Sequence, residues 1–470
     1  MKLSTIFASL LIAMTVATGG GPVAARESAA RADRFAPGFA PCPDADTAPA
    51  LAGSLCLVDT AALNPAAPAG GEQVQLFVRK FPVAASTRRR GEIWLVAGGP
   101  GESGASFYPL LPVLRRAFPD RDLIVPDHRG TGFSTKLCPA EEAVDSPDGI
   151  ALAGAEWGPC IGAVHADPAR AHQFTVTAAA ADLATLIGRH RGPGRVDVYG
   201  VSYGTQLVLR MMAAYPVAVD GLILDGLVPR DGTAEADLGR RTAVVDAVGR
   251  ELLSAPQAAA LARVLGQPEP VWRTAVPGGD LRQLLGSMLN FPAARAQIPA
   301  IVTALDRGDT APLTAALAVL RAEAAALGGY PQSPSSLPLT ILVSGSENNA
   351  RRDLDAATVA GEARDALFTS PLPGFLASAP LPLYARDAWH GRLPARLPPT
   401  LVMQGTLDPN TPFAAARAHA EALAGAGRVR FAAVDGGAHF LLLVAPDCFV
   451  RIAGAFAAGQ RVPRRCAAAE

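Results

Sequence analysis

The sequence has no excess charge and almost no lysine. Its 470 residues include 42 basic and 42 acidic side chains, so the formal net charge is zero, and lysine occurs only at positions 2, 80 and 136. Nucleic acids and anionic membranes attract basic surfaces, so this charge balance gives no support to either partner. Lysine is scarce and alanine is abundant, and we interpret both as effects of the base composition of the genome rather than as signs of a particular chemistry.

Long apolar runs are also missing, except near the amino terminus. An apolar run at residues 6–16 follows Lys2 and leads through small residues to V-A-A at residues 23–25. The run is too short for a comfortable membrane span, and the order of features is typical of a secretory signal peptide. We therefore expect residues 1–25 to be removed on export to the periplasm or beyond, with no membrane association afterwards. The alternative is an uncleaved anchor.

None of the six cysteines forms a C-x-x-C motif, and no histidine cluster accompanies them, so no metal site is expected. They fall into three local pairs: Cys42 and Cys56, Cys138 and Cys160, and Cys448 and Cys466. An exported protein allows such pairs to oxidise. Six cysteines permit fifteen connectivities, of which pairing between nearest neighbours is the simplest.

Short apolar runs bounded by glycine, proline or aspartate predict strands that are buried on both faces. They lie at residues 74–81, 92–97, 123–126, 196–199, 222–224, 400–403 and 429–434. Helical patterns at residues 178–189 and 203–215 flank the run at 196–199, which gives a strand–helix alternation. The sequence therefore predicts an α/β fold with a doubly wound, mostly parallel sheet.

The chain is longer than one ordinary domain, and the series of strands is interrupted after Asp225. The next 170 or so residues are far too many for a structureless loop, and they contain helical patterns at 234–253, 281–289 and 311–327. We predict a mainly helical cap at residues 226–398, inserted between core segments 26–225 and 399–470. It should cover the carboxyl edge of the sheet, where open α/β sheets bind ligands.

The motif G-V-S-Y-G at residues 200–204 follows a predicted strand and begins a predicted helix. G-x-S-x-G in this context places a serine on a sharp turn with its hydroxyl at the sheet edge. The flanking glycines let the neighbouring backbone pack closely around a strained residue. Ser202 is therefore the predicted nucleophile.

A serine hydroxyl is a weak nucleophile and needs an adjacent base. Around this motif the chain order is serine, acid, histidine, which excludes the four histidines before Ser202. His390 falls in the predicted cap, and His419 lies in the predicted helix 413–424, where we expect a surface residue. His439 follows the last predicted strand in a loop with two glycines, so it is the predicted base.

The acid should follow a late strand and precede that histidine. Asp408 comes after the strand at 400–403 and is our choice, with the role of fixing the imidazole tautomer and stabilising the imidazolium. Asp435 is only four residues from His439 and is assigned to the turn. Asp225, at the end of an earlier strand, remains the rival.

Two backbone N–H groups should stabilise the oxyanion. One belongs to Tyr203, directly after the nucleophile, and the other to Gly99 in the G-G-P-G loop at residues 98–101. Glycine in that loop permits close approach of the backbone to a ligand.

Taken together, G-G-P-G at 98–101, D-H-R-G-T-G at 127–132 and G-V-S-Y-G at 200–204 resemble the prolyl and tripeptidyl aminopeptidase branch of the α/β hydrolases. The segment from Cys448 to Cys466 is similar to the tail module of the exported tripeptidyl aminopeptidases. The pair Cys42 and Cys56 before the first predicted strand also resembles that group. The resemblance implies an exported serine aminopeptidase that releases amino-terminal residues or short peptides through an acyl-enzyme, without a cofactor.

Members of that branch often bind the free ammonium of the substrate with carboxylates of the cap. Glu347 resembles such a glutamate, and the alternative is an ordinary surface glutamate. Two other functions remain open: an esterase or amidase that acts on small non-peptide substrates, and a secreted binding protein that kept the fold. The set Ser202, Asp408 and His439 argues against the binding protein. The expected partner is a peptide or small acyl substrate.

Overall fold

The computed structural model describes residues 38–152, 154–325, 328–378 and 380–468. The predicted signal peptide at residues 1–25 lies outside this part of the chain. In the described part, ten strands form one sheet: β1 (Ala40–Pro41), β2 (Leu55–Ala62), β3 (Gln73–Phe81), β4 (Gly91–Val96), β5 (Arg121–Pro126), β6 (Arg195–Val201), β7 (Gly221–Asp225), β8 (Thr400–Gly405), β9 (Val429–Asp435) and β10 (Arg465–Ala467).

The strand order is β1-β2-β3-β5-β4-β6-β7-β8-β9-β10. The pairs β1–β2, β2–β3 and β3–β5 are antiparallel, and every later pair is parallel. The prediction of a mostly parallel α/β sheet is therefore confirmed. All seven predicted strands are present, while the sequence reading missed β1, β2 and β10.

Helices surround the sheet and fill the long gap between β7 and β8. In the described residues they are α1 (Leu111–Ala117), α2 (Trp157–Ala166), α3 (Pro168–Ala171), α4 (Val176–His190), α5 (Tyr203–Ala214), α6 (Arg241–Glu251), α7 (Ala255–Leu265), α8 (Leu281–Met288), α9 (Pro292–Arg295), α10 (Ile298–Leu305), α11 (Ala311–Ala325), α12 (Leu337–Glu347), α13 (Ala356–Glu362), α14 (Leu372–Ala377), α15 (Phe413–Leu423), α16 (Leu441–Val444) and α17 (Pro446–Ala457). Short 3-10 turns connect several of them. Within this part of the chain, no helix is both long and apolar enough to cross a membrane.

The central strands are apolar throughout because both faces of the sheet are covered. In β4, Trp94 and Val96 pack into the core under α4 and α5, whereas Ile93 and Leu95 pack into the core under α1 and α17. Alternation of side chains along a strand produces this division. Each fully buried large apolar side chain contributes about 1.5–3 kcal/mol, so the continuous apolar runs seen in the sequence are required by this architecture.

Between β7 and β8 the described residues form helices and no strand. These helices have a hydrophobic core of their own, which includes Leu261, Leu285 and Phe368. The helix predicted at 234–253 begins only at Arg241, because two 3-10 turns precede it. We use the name cap for residues 226–398, as in the sequence prediction.

The cap contacts the loops at the carboxyl edge of the sheet. The N–H of Ser336 donates to the carbonyl of Gly101 at 2.9 Å, and the hydroxyl of Thr340 donates to the carbonyl of Pro100 at 2.6 Å. On the other side, Arg295 donates to the carbonyl of Gly436 at 2.6 Å. The cap is thus held above the loops that follow β4 and β9.

The predicted disulfides are present as pairs of nearest neighbours: Cys42–Cys56, Cys138–Cys160 and Cys448–Cys466. The first joins the residue directly after β1 to β2, the second joins the loop after β5 to α2, and the third joins α17 to β10. Each closes a short stretch of chain, with separations of 14, 22 and 18 residues.

Candidate active site

Ser202 occupies the turn between β6 and α5. Its φ of 54° and ψ of −125° lie where non-glycine residues are rare and strained. The turn is held by backbone hydrogen bonds: the N–H of Ser202 donates to the carbonyl of Asp225 at 2.9 Å, and the N–H of Thr205 donates to the carbonyl of Ser202 at 2.8 Å. The strained conformation is therefore imposed by the strand before the turn and the helix after it.

The glycines two residues either side of Ser202 are required by close packing. A Cβ on Gly200 would lie 2.7 Å from the carbonyl oxygen of Gly204, and a Cβ on Gly204 would lie 2.5 Å from the carbonyl oxygen of Val96. Either side chain would push α5 away from β4 and β6. This confirms the physical reason for glycine at both ends of the motif.

His439 and Asp408 are joined by a hydrogen bond of 2.8 Å between Nδ1 and Oδ2. The histidine lies in the loop after β9, and the aspartate lies in the loop after β8. Gly226, directly after β7, approaches the imidazole so closely that a Cβ there would lie 2.9 Å from Cε1 of His439. The ring is therefore held between two neighbouring loops, with the aspartate on its Nδ1 side.

Four further groups bind the Asp408 carboxylate. Oδ1 accepts the backbone N–H groups of Asn410 and Thr411, both at 2.8 Å, and Oδ2 accepts the Thr411 hydroxyl at 2.6 Å and the Gln404 amide at 2.9 Å. Burial alone would raise the pKa of Asp408, but the charge and hydrogen bond of His439 and the bonds from Thr411 hold it below its ordinary value. The group is an anion that is fixed in place.

The same pair raises the pKa of His439. Burial of the ring opposes its charged form, but the charge of Asp408 and its hydrogen bond outweigh burial and hold the pKa above the ordinary value of 6.5. A histidine with Nδ1–H bound to a buried carboxylate presents Nε2 as a base, which is the arrangement of a catalytic triad.

Asp225, the rival acid, is engaged elsewhere. Its carboxylate accepts the N–H groups of Leu441 and Leu442, each at 3.1 Å, and the hydroxyl of Tyr199 at 2.8 Å. Burial raises its pKa to about 6. Asp435 pairs with Arg465 on β10 at 2.6 Å. The hydrogen bond to His439 thus comes from Asp408.

Ser202 and His439 line one cavity of about 220 Å³ between the sheet edge and the cap. The two predicted oxyanion donors line it as well. Tyr203 is the first residue of α5, where backbone N–H groups have no acceptor within the helix. Gly99, with a φ of 109°, lies in the loop after β4. A Cβ on neighbouring Gly98 would lie 3.1 Å from the Cβ of Ser202, so this loop needs glycine next to the nucleophile.

Glu347, predicted to bind the substrate amine, is 3% exposed and lies at the end of α12. The alternative of an ordinary surface glutamate is therefore wrong. Its carboxylate accepts hydrogen bonds from Arg210 and Tyr384, both at 3.3 Å, and lies 3.0 Å from Nδ1 of His390. Its neighbours Ser344 and Asn348 line the cavity. Binding of an amine by Glu347 remains a hypothesis.

His419 was expected on the surface, and that expectation is wrong. It is buried, and its Nδ1 lies 2.8 Å from the carbonyl oxygen of Val228. The helical pattern predicted α15 well, but it could not show that the chain leaving β7 covers this face of the helix. His390 lies in the cap, as predicted, beside Glu347.

Two charged residues of the cavity were missed by the sequence reading. The Glu102 carboxylate lies beside the nucleophile, since a Cβ on Gly98 would be 3.2 Å from its Oε2. Burial raises the pKa of Glu102, against the influence of His439 and the N–H of Gly98. Arg241, at the start of α6 in the cap, also lines the cavity. Glu102 directly follows the G-G-P-G motif, which is the one sequence signal that could have revealed it.

Comparison with protein families agrees with this geometry. Residues 93–263 match a family model described as alpha/beta hydrolase fold, and residues 379–465 match one described as TAP-like protein. The first match contains Ser202 and the second contains Asp408 and His439. The protein thus has the α/β-hydrolase fold, with a C-terminal region similar to TAP-like proteins.

No curated protein matches the sequence. Among solved structures, an esterase from Thermogutta terrifontis is 19% identical, covering 81% of this chain and 92% of its own, with a TM-score of 0.34. An epoxide hydrolase from an endophytic Streptomyces is 16% identical, covering 88% and 99%, with a TM-score of 0.38. A bromoperoxidase from Bacillus anthracis is 15% identical, covering 84% and 96%, with a TM-score of 0.36. These distant similarities carry no information about the reaction.

Proposed function

We propose that the protein is a serine hydrolase in which Ser202 is the nucleophile, His439 the general base and Asp408 the group that orients the imidazole. The observation that carries this proposal is the 2.8 Å hydrogen bond from His439 to the buried Asp408, because His439 lines the same cavity as the strained Ser202. Strain of this kind persists where the surrounding structure imposes it, and it clusters at active sites.

The reaction follows from the positions of these groups. Ser202 Oγ attacks the carbonyl carbon of the substrate while Nε2 of His439 takes the hydroxyl proton. The tetrahedral oxyanion accepts hydrogen bonds from the N–H groups of Gly99 and Tyr203. Collapse breaks the bond to the leaving group, which takes the proton from His439 and departs. Water then attacks the acyl-enzyme with His439 again as base, which releases the acid and restores Ser202.

The finer proposal is an exported aminopeptidase. It is supported by the resemblance of the three motifs, by the TAP-like match at residues 379–465 and by carboxylates in or beside the cavity. An aminopeptidase must hold the substrate ammonium, and an anion near the acyl group provides this. Two residues are candidates: Glu102 in the cavity wall and Glu347 at the end of α12.

Export is supported by the predicted signal peptide and by the three disulfides, which form in oxidising compartments. The proposed partner is a peptide, or a small acyl compound if the enzyme is an esterase. The proposed chemistry uses only side chains and backbone N–H groups of this chain.

Replacement of Ser202 by alanine tests the assignment. Ser202→Ala should abolish labelling by a fluorophosphonate, and it should leave only a small fraction of the wild-type turnover of aminoacyl arylamides, because no acyl-enzyme can form. About 10³–10⁴-fold acceleration over water can survive through binding and the oxyanion donors. His439→Ala should be nearly as damaging, because the members of a triad act as a unit.

Ser378→Ala is the matched control, since that serine is exposed in the cap. It should label and turn over like the wild type. Wild-type rates in a folded Ser202→Ala variant would contradict the central assignment. Turnover of simple acyl esters without turnover of aminoacyl arylamides would favour the esterase, and absence of labelling in the wild type would favour a binding protein.

A further inference from the structure

The Arg241 side chain is buried in the cavity wall. The side chain is 5% exposed, and within the described part of the chain neither Nε nor Nη1 has a hydrogen-bond partner. It lines the same cavity as Ser202 and His439. Buried charges are otherwise paired or hydrogen-bonded, because an isolated charge is costly to remove from water.

Within the described residues the nearby carboxylates make no hydrogen bond to Arg241, and Oδ2 of Asp237 is itself buried without a hydrogen-bond partner. Asp237 accepts the N–H groups of Gly239 and Ala350 and lies 3.5 Å from Arg351. Asp408 is bound by His439 and by its own loop. Both carboxylates act on Arg241 only through space, and burial lowers its pKa to about 10, which keeps the side chain charged at neutral pH.

The position of Arg241 in its helix adds to this cost. Arg241 is the first residue of α6, where the positive end of the helix dipole disfavours a cation. A bound anion would relieve both the dipole repulsion and the missing hydrogen bonds. The wall of the cavity is therefore built to receive a negatively charged group of a ligand.

The location of Arg241 indicates which part of the substrate carries the negatively charged group. Arg241 lines the cavity together with His439 and with Asn410 and Thr411 of the loop that carries Asp408. His439 delivers its proton to the leaving group, which must therefore lie on the side of the cavity that His439 lines. In peptide hydrolysis the leaving group is an amino acid or peptide, and its one obligatory anion is the C-terminal carboxylate.

We propose that Arg241 binds the C-terminal carboxylate of a short peptide substrate on the leaving-group side of the cavity. The inference rests on the proposed peptidase function and defines its substrate class: peptides short enough for their free carboxylate to reach the cavity. The volume of about 220 Å³ is below the usual 300–1,000 Å³ of drug-sized sites, which agrees with a small ligand. Longer or amidated peptides lose this contact.

The test compares a dipeptide Xaa-Ala with its C-terminal amide, where Xaa is the residue preferred in an aminoacyl arylamide panel. The wild type should favour the free acid by at least about 30-fold in kcat/KM, chiefly through KM, as expected for a buried charge pair. Arg241→Gln should bring that ratio close to one. Arg241→Lys, which keeps the charge, should restore part of it.

Arg240→Gln is the matched control, because Arg240 is the preceding residue, largely exposed, and pairs with Asp237 at 3.6 Å. It should keep the wild-type ratio, and melting curves of all variants check folding. Equal rates on acid and amide in the wild type overturn the inference even if no variant folds. A ratio that Arg241→Gln leaves unchanged overturns it as well. Loss of arylamide turnover and of fluorophosphonate labelling in the wild type would instead reject the underlying peptidase.

Discussion

At the scale of single residues, Asp408 and Asp225 show how the same side chain can serve chemistry or architecture. Both are buried at the carboxyl ends of neighbouring strands. One carboxylate oxygen of Asp408 is hydrogen-bonded to His439, whereas both oxygens of Asp225 accept hydrogen bonds from backbone N–H groups and a tyrosine hydroxyl. The first should control the rate and the second the stability.

Asp408→Asn should lower kcat/KM by up to about 10⁴-fold, because an amide favours the wrong imidazole tautomer. The variant should also differ from the wild type in the pH dependence of kcat/KM. The base must be neutral, and the raised pKa of His439 places the acid limb of wild-type kcat/KM above pH 6.5. Removal of the carboxylate charge lowers that pKa, so the residual activity should have its acid limb at lower pH. Steady-state kinetics from pH 5 to about 9 measure both effects.

Asp225→Asn is the control at the rival position. An amide nitrogen there would face N–H and O–H donors, which should cost about 1–3 kcal/mol of stability and lower the melting temperature. Its loss in kcat/KM should be much smaller than that of Asp408→Asn. If Asp225→Asn were the crippling change and Asp408→Asn the mild one, the acid would belong to the end of β7.

The three residues assigned to the triad could be predicted from the sequence. Ser202, Asp408 and His439 each follow a strand in the required sequence order, and the carboxyl ends of parallel strands meet at one edge. Arg241 could not be predicted, because its significance comes from buried side-chain nitrogens that have no hydrogen-bond partner within the described residues. The burial of His419 depends on a contact with Val228, 191 residues away, that no periodicity reveals.

At the scale of elements, the carboxyl edge of the sheet could be predicted and the cap contacts could not. The apolar runs of β4 to β8 show little alternation because both faces are buried, and this made them recognisable, whereas β9 alternates mostly between buried and half-buried residues. Strand β2 (L-C-L-V-D-T-A-A) mixes exposure within one strand, and β10 has only three residues. In β2 the short apolar run L-C-L-V gives way to Asp59 and Thr60, and β10 is too short for a pattern, so both were missed.

Two elements carry a candidate carboxylate for binding the substrate amine. The loop after β4 carries Glu102, and α12 carries Glu347. A free-amine substrate should be cleaved at least about 30-fold faster than its acetylated form, because acetylation leaves a buried carboxylate unpaired. We expect Glu102→Gln to shrink this preference, since Glu102 lines the cavity. Glu347→Gln should chiefly lower the melting temperature, since it weakens the contacts to Arg210 and His390.

Ratios of kcat/KM for matched free and blocked arylamides measure the preference in the wild type and both variants. A loss of preference in Glu347→Gln with retention in Glu102→Gln would return the amine to α12, as the family resemblance implies. Equal rates on free and blocked substrates in the wild type would favour the esterase or amidase.

At the scale of the whole molecule, the disulfide Cys448–Cys466 braces the C-terminal part of the described chain rather than the site. Cys448–Cys466 ties α17 to β10, the edge strand beside β9, while Asp408 and His439 are positioned by β8 and β9. Phe449 and Ile452 of α17 are buried in the sheet core. The last disulfide should therefore contribute to stability and hardly at all to the chemistry.

The double variant Cys448→Ser/Cys466→Ser should lose about 3 kcal/mol of unfolding free energy, the value that the chain-entropy model gives for a loop of this length. Urea unfolding of oxidised wild type and variant measures the difference, and kcat/KM on an arylamide at 25 °C should stay within about threefold because the triad strands are untouched. Dithiothreitol should shift the wild-type midpoint further than that of the variant.

Free thiols at these positions in exported wild type, or an unchanged midpoint in the variant, would contradict the bracing role. A large loss of activity at unchanged stability would instead connect α17 to the His439 loop, since α16 and α17 follow that loop directly in the chain.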